Sequence, residues 1–362
     1  MKSVLTLGNF DGVHLGHRAI LDAARRVADE RGARVCVVTF DPHPAAILRP
    51  GSEPPRILPL AERRRRLLRA GADEVQVLES TPELLATEPE DFIEQLVQRH
   101  DPVGFVEGEG FRFGKRRRGD LELLQRLGER FGFDLHVQPP LMLRLTSPCE
   151  VRASSTLVRR LIGHGRVFDA QRVLGEPFLL TAPVVEGERR GRTLGIPTAN
   201  LDPDTLAAFI VPADGVYAGH ADILPDAGVD ETPTPGGAAS VDSEGHASNH
   251  QVACNGVDPS PHDPTRSPFP APRASYPAAI SVGIKPTFGS DRLTVEAHLV
   301  GYEPAEADRL YGQTLRLTFA RWLRDQYAFP GRETIQRQLR RDIEHARSLA
   351  SAPLAADTPY TP

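Results

Sequence analysis

The strongest constraint on this chain is the rhythm of its first half, where short apolar runs alternate with amphipathic stretches. Strands are predicted at 4–7, 35–38, 75–78, 103–107 and 135–137, with helices over 15–31, 62–70, 90–99 and 121–131 between them. The first helix places Ile20, Ala24, Val27 and Ala28 on one face, the stripe of a buried helix. Val35-Cys36-Val37-Val38 is apolar without interruption, as a parallel strand covered on both faces must be. A repeated βαβ pattern implies an open, Rossmann-like parallel sheet with right-handed crossovers. Ligands on such sheets bind at the carboxyl ends of the strands, which directs attention to the loops after Leu7 and Val38.

Beyond about residue 177 the texture changes. Apolar clusters at 178–185, 215–223, 278–284, 293–300 and 314–320 are short, bounded by turn residues and not interleaved with helices. They predict an antiparallel β-barrel, closed by a helix over 332–350 that repeats Ile335, Leu339 and Ile343. At 362 residues the chain exceeds one compact core, and the change of texture divides it into 1–176 and 177–350, with 351–362 as a disordered tail. Residues 225–277 hold ten prolines but only two basic residues, Arg266 and Arg273, and two aromatics, Phe269 and Tyr276. Such a segment buries too little apolar surface to offset its ordering entropy and is expected to be a disordered insertion. His246, His250, Cys254 and His262 within it match no zinc spacing.

The formal net charge of −5 argues against nucleic acid as a partner. Cys36, Cys149 and Cys254 are widely spaced and suggest a reducing compartment. No apolar run approaches the roughly 20 residues that span a bilayer, so no membrane association is expected. The N-terminal apolar stretch stops at Gly8 and Asn9, too early for an export signal, and a cytoplasmic location follows.

The chemistry concentrates at Leu7-Gly8-Asn9-Phe10-Asp11-Gly12-Val13-His14-Leu15-Gly16-His17, where a strand gives way to a helix. Histidines three apart share one helical face, and the free N–H groups at a helix start favour a phosphate. Gly16 leaves room for a close approach. Ser154-Ser155-Thr156-Leu157-Val158-Arg159 is a second hydroxyl-rich helix start, with a guanidinium one turn later that suits a polyphosphate.

The HxGH stretch resembles the signature of the nucleotidyltransferase superfamily. Together 8–17, VTFDPHP (38–44), GEGFRFGKRRRGD (108–120) and SSTLVR (154–159) resemble the adenylyltransferase module of the bacterial bifunctional riboflavin kinase/FAD synthetase family. The second half is similar to that family's kinase module. The matching stretches are GRTLGIPTAN (191–200), Gly215-Val216-Tyr217, 281–289, Val295-Glu296-Ala297-His298, Leu310-Tyr311-Gly312 and a tail helix with Gln338 and Asp342.

This resemblance implies phosphorylation of riboflavin to FMN with ATP, then adenylylation of FMN to FAD with release of pyrophosphate. It implies that Glu296 is the kinase base and that Thr198 and Asn200 ligate an ATP-borne Mg²⁺. Gly187, Gly191, Gly195 and Pro197 would shape the nucleotide turn. In the first module it implies that His14, His17 and Arg159 act on phosphates, with Gly8, Asn9, Asp11, Gly16, Ser154 and Ser155 lining the site. Asp41 and His43 are expected near adenine or flavin. The chain departs from the family pattern at Gly110, where Asp or Asn is usual, and at Leu157, where a basic residue is common; these departures motivate a kinase-only alternative. Lys115–Arg118 is read as a solvated loop, 63–66 as a solvated helix face, and Phe319 and Trp322 as core.

Overall fold

The computed structural model describes residues 1–147, 150–187, 195–225, 271–284, 293–303, 310–327 and 329–351. Strands β1 (Ser3–Leu7), β2 (Arg34–Asp41), β3 (Glu74–Glu79), β4 (Pro102–Gly108) and β5 (Asp134–Gln138) form one parallel sheet in the order β3-β2-β1-β4-β5. Helices α1 (Leu15–Arg31), α2 (Pro44–Leu48), α3 (Leu60–Arg69), α4 (Pro82–Leu85), α5 (Pro89–His100) and α6 (Leu121–Phe131) connect them. Strand alternation sends Val4, Val35 and Val37 to the face covered by Leu21, Ala24 and Ala28 of α1. Leu5, Leu7, Cys36 and Val38 take the opposite face, against Ile93 and Leu96 of α5 and Leu124 and Leu127 of α6. Both faces are dry, which is why 35–38 tolerates no polar residue.

A short hairpin, β6 (Met142–Arg144) and β7 (Glu150–Arg152), precedes α7 (Ser155–Gly163) and α8 (Val167–Leu174). The chain then enters a closed six-stranded antiparallel barrel in the order β10-β11-β12-β9-β8-β13. Its strands are β8 (Phe178–Val185), β9 (Ala199–Leu201), β10 (Gly215–Ile223), β11 (Ala274–Ile284), β12 (Leu293–Leu299) and β13 (Thr314–Arg324). The short helix α9 (Pro203–Leu206) follows β9, and α10 (Arg332–Ser351) packs outside the barrel. The helix is held by Arg324 on buried Asp342, 2.7 Å apart. Leu180, Ala182, Val184, Ile280, Val282, Leu315 and Leu317 alternate inward to fill the barrel.

The two modules are packed together. Arg56 N donates to Ala208 O, and Ile210 N donates to Arg56 O, at 2.8 Å each. The Arg321 guanidinium lies over the Phe168 ring at 4.4 Å.

Four sequence expectations need correction. Residues 226–270 of the proline-rich segment lie outside the described residues, but 274–277 belong to β11, where Tyr276 meets Tyr302 edge-on at 5.4 Å. Ser351, expected as tail, is the last residue of α10. Phe319 is core against Phe178 and Tyr217, whereas Trp322 is 46% exposed on the end of β13. The arginine run 63–66 is not a solvated face. Arg64 is exposed, but Arg63 and Arg66 are buried because distant oxygens receive them: Asn9 O and Phe40 O for Arg63, Glu62 and Glu176 for Arg66.

Candidate active sites

At the carboxyl end of β1 the chain turns through left-handed conformations at Phe10 (φ 47°), Gly12 (φ 85°) and Val13 (φ 42°). A β-branched residue there is strained, and buried Phe10 and Val13 are anchored in the first module's core. The turn delivers His14 to the N-cap of α1, where Nδ1 accepts the His17 backbone N–H at 3.3 Å. That bond puts the ring proton on Nε2, leaving it a donor. The His14 and His17 rings stack with centroids 3.6 Å apart. Gly16 fits closely, since a Cβ there would stand 3.2 Å from the His14 ring and 3.3 Å from Ala153.

Asn9 O accepts from Thr39 Oγ1 (3.2 Å) and Arg63 Nη1 (3.0 Å), and Asn9 Nδ2 lies 3.0 Å from His43 Nε2. Two atoms of this site, Asn9 Oδ1 and His17 Nδ1, are buried without a hydrogen-bond partner among the described residues.

The second motif reaches the first through Asp11. Ser155 Oγ donates to Asp11 O at 2.7 Å, and Arg159 Nη2 donates to Asp11 Oδ2 at 2.5 Å. The Asp11 carboxylate also takes the N–H groups of Ile57 and Leu58. Both of its oxygens therefore already accept from protein donors, so Asp11 braces the site. Ser154 caps α7 by accepting from Leu157 N at 3.2 Å. Leu157, one of the two departures, packs on the apolar core; a Cβ on the other, Gly110, would lie 3.6 Å from the Arg152 guanidinium. Neither disturbs the contacts at Asp11. Asp41 stands at the same sheet edge, within 3.4 Å of Arg63. In the basic loop Lys115 and Arg118 pair with Glu88, and Arg116 and Arg117 are exposed.

Burial above all, with the charges of Arg159 and Arg18, lowers the His14 pKa to about 3; burial also holds His17 well below the usual imidazole range. Both rings are neutral donors at pH 7. The depressed value means that His14 favours the folded state above pH 6.5, and that this contribution is lost as pH falls from 6.5 towards 3. Adenylyl transfer is therefore expected to show no acid limb from these imidazoles between pH 6 and 8. A pH–rate profile with a one-proton fall near 6.5, removed by substituting His14, would contradict this.

In the barrel, β9 runs beside β12 with Asn200 opposite Glu296. Thr198 Oγ1 donates to Glu296 Oε2 at 3.4 Å. Gly187 is needed beside them, since a Cβ there would lie 2.2 Å from Asn200 Nδ2. His298, kept neutral by burial, donates from Nδ1 to Pro197 O at 2.8 Å and so fixes the turn that carries Thr198. The alternation of β12 puts His298 on the same side as Glu296, a signal available in the sequence. Gly195 takes a left-handed φ of 75° at the start of this turn, while Gly191 and residues 285–289 lie outside the described residues.

Sequence reasoning missed the bracing by Asp11 and Arg63, and it also missed Glu107. That carboxyl is pushed well above its usual range by burial and accepts Leu7 N at 2.7 Å. Away from both sites, Cys36, Glu74 and His100 converge. Their atoms are already partnered: Cys36 Sγ lies 3.7 Å from His100 Nδ1, Gln76 Oε1 lies 2.7 Å from its Nε2, and Arg34 is 2.8 Å from Glu74. We read them as a packing network.

Comparison with known proteins agrees with this division. A family model described as FAD synthetase matches residues 1–149, and one described as riboflavin kinase matches 174–350. The chain is 31% identical to the bifunctional riboflavin kinase/FMN adenylyltransferase of Escherichia coli K12, over 95% of this chain and 91% of that protein. It is 30% identical to the Pseudomonas fluorescens protein of the same name (96% and 93% covered) and 26% identical to that of Bacillus subtilis (95% and 92%). A crystal structure of a macrolide-efflux protein from Streptococcus pneumoniae superposes with a TM-score of 0.72 at 26% identity, covering 96% of this chain and 94% of that one. Among the described residues no helix is long and apolar enough to cross a membrane.

Proposed function

Since the chain belongs to the bifunctional riboflavin kinase/FMN adenylyltransferase family, we propose that each of its two side-chain clusters carries one of the two reactions. The adenylyltransferase module is 1–176 and the kinase module 177–350. The observation that carries this assignment is their separation: a helix mouth with neutral imidazoles in one module, and the Glu296 carboxylate beside the Thr198 hydroxyl and Asn200 in the other.

In the kinase module the nucleophile is the primary hydroxyl of riboflavin's ribityl chain, a weak one until its proton is taken. Glu296 accepts that proton. The hydroxyl of Thr198 and the amide oxygen of Asn200 form an uncharged oxygen pair beside the Glu296 carboxylate. That pair fits Mg²⁺, which keeps water and phosphate among its ligands. When bound, Mg²⁺ would neutralise charge on the phosphates of ATP. Pro197 and Gly195 shape the turn against the nucleotide.

In the adenylyltransferase module the nucleophile is an FMN phosphate oxygen, already anionic, so no base is required. The task is to bring two polyanions together and to stabilise the departing pyrophosphate. His14 donates from Nε2, His17 stacks behind it, and the N–H groups at the start of α1 add their positive dipole. Arg159 contributes charge from beside Asp11, with Gly8, Asn9, Gly16, Ser154 and Ser155 lining the phosphate path. The need for ATP in both steps suits a cytoplasmic enzyme.

The assignment is tested with ATP, Mg²⁺ and a single flavin. FMN alone is expected to give FAD, and riboflavin alone to give FMN and then FAD; absence of FAD from FMN would leave a kinase only. Thr198→Ala is expected to raise the Mg²⁺ needed for half-maximal kinase rate by about 10-fold or more, at least what loss of a group that supports a metal ligand costs. An unchanged Mg²⁺ requirement would remove Thr198 from that role.

A further inference from the structure

The segment that joins the two modules also seats the phosphate turn. Leu174, Gly175 and Glu176 are consecutive, and each meets a different residue of that turn or of the first turn of α1. A Cβ on Gly12 would lie 3.2 Å from Leu174 Cδ2, and one on Gly175 would lie 2.6 Å from Leu15 Cδ2. The carboxylate of Glu176 pairs with Arg18, the residue after His17. Arg18 Nε in turn donates to Val13 O at 3.3 Å. Val13 is the strained left-handed residue directly before His14, and strain of that kind persists only where the surroundings over-determine it. Glu176 is itself held by Arg66 and Arg69 at 3.0 Å each, and Arg66 is fixed further by Glu62 at 2.7 Å.

We propose that Glu176 is a positioning residue for FMN adenylylation, acting through Arg18 on the Val13 carbonyl and so on the aim of His14 and the α1 N–H groups. A reacting group displaced by about 1 Å costs on the order of 100-fold in rate, so a partial loss of this brace suffices to be measured. The inference rests on His14 contacting phosphate. Nothing in it touches the kinase cluster, and the kinase activity of the same polypeptide therefore reports on folding.

The test uses the full chain as Arg18→Met, Glu176→Gln and the double variant, with both reactions measured on each preparation. Loss of Glu176 takes a buried carboxylate away from Arg66 and endangers folding, so Arg18→Met carries the decision. FAD formation in Arg18→Met is expected to fall about 10-fold or more in kcat with little change in KM for FMN, while riboflavin phosphorylation stays normal. Arg18→Lys should recover part of the rate, and the double variant should be no slower than the slower single one. Equal losses in both reactions, no loss in either, or multiplying losses in the double variant would each overturn the proposal. His14→Ala run alongside separates the two readings. A collapse of adenylylation there with a normal Arg18→Met overturns this inference alone, whereas a normal rate in His14→Ala overturns the phosphate assignment and this inference with it.

Discussion

His14→Ala is expected to slow FAD formation from FMN by roughly 100- to 1000-fold, with riboflavin phosphorylation by the same chain unchanged. The magnitude follows from the tautomer. With Nδ1 engaged by the His17 N–H, the ring can only donate from Nε2, and as a buried neutral group it does so without reorganising when negative charge moves to the departing pyrophosphate. The substitution also removes the N-cap of α1, worth about 1 kcal/mol. His14→Asn separates the two effects, because asparagine caps well but cannot place a donor where Nε2 stands. A slow but stable Asn variant locates the loss in catalysis. An Asn variant as fast as wild type would reduce His14 to a cap.

The second large effect is expected at Glu296. Glu296→Gln preserves shape and the ability to accept from Thr198 Oγ1, yet it cannot take the ribityl proton. Riboflavin phosphorylation should fall roughly 100- to 10,000-fold in kcat, the span of general-base contributions, with KM for riboflavin nearly constant. FMN adenylylation should continue at the wild-type rate, since its nucleophile needs no deprotonation. Normal kinase turnover in this variant would mean that the base is another group.

The central strands of the sheet were legible because both their faces are buried. Val35 through Val38 have no polar position, and the helices between strands carry clear apolar stripes. The long barrel strands were legible as short apolar clusters bounded by turn residues. The strands missed are those too short to show a period: β9 has three residues, as do β6 and β7. Within the candidate sites the motifs themselves were legible, because a glycine-containing strand-to-helix turn with two histidines restricts local geometry. Their connections were not. Arg63 and Arg66 looked like a solvated run, since the oxygens that let a guanidinium be buried sit at Asn9, Phe40 and Glu176, far away in the chain. Asp11 stands in a motif whose neighbours face the ligand space, yet its carboxylate is saturated by Arg159 and by two N–H groups of the 57–58 segment. Trp322 was misjudged because β13 runs past the filled part of the barrel, and hydrophobicity alone does not mark where a core ends.

That two independent clusters divide the work is tested most directly by mixing the variants. Given riboflavin, ATP and Mg²⁺, His14→Ala alone should stop at FMN, and Glu296→Gln alone should leave riboflavin unchanged. An equimolar mixture should make FAD, because FMN released by the first variant is adenylylated by the second. FAD from either variant alone, or none from the mixture, would contradict the division.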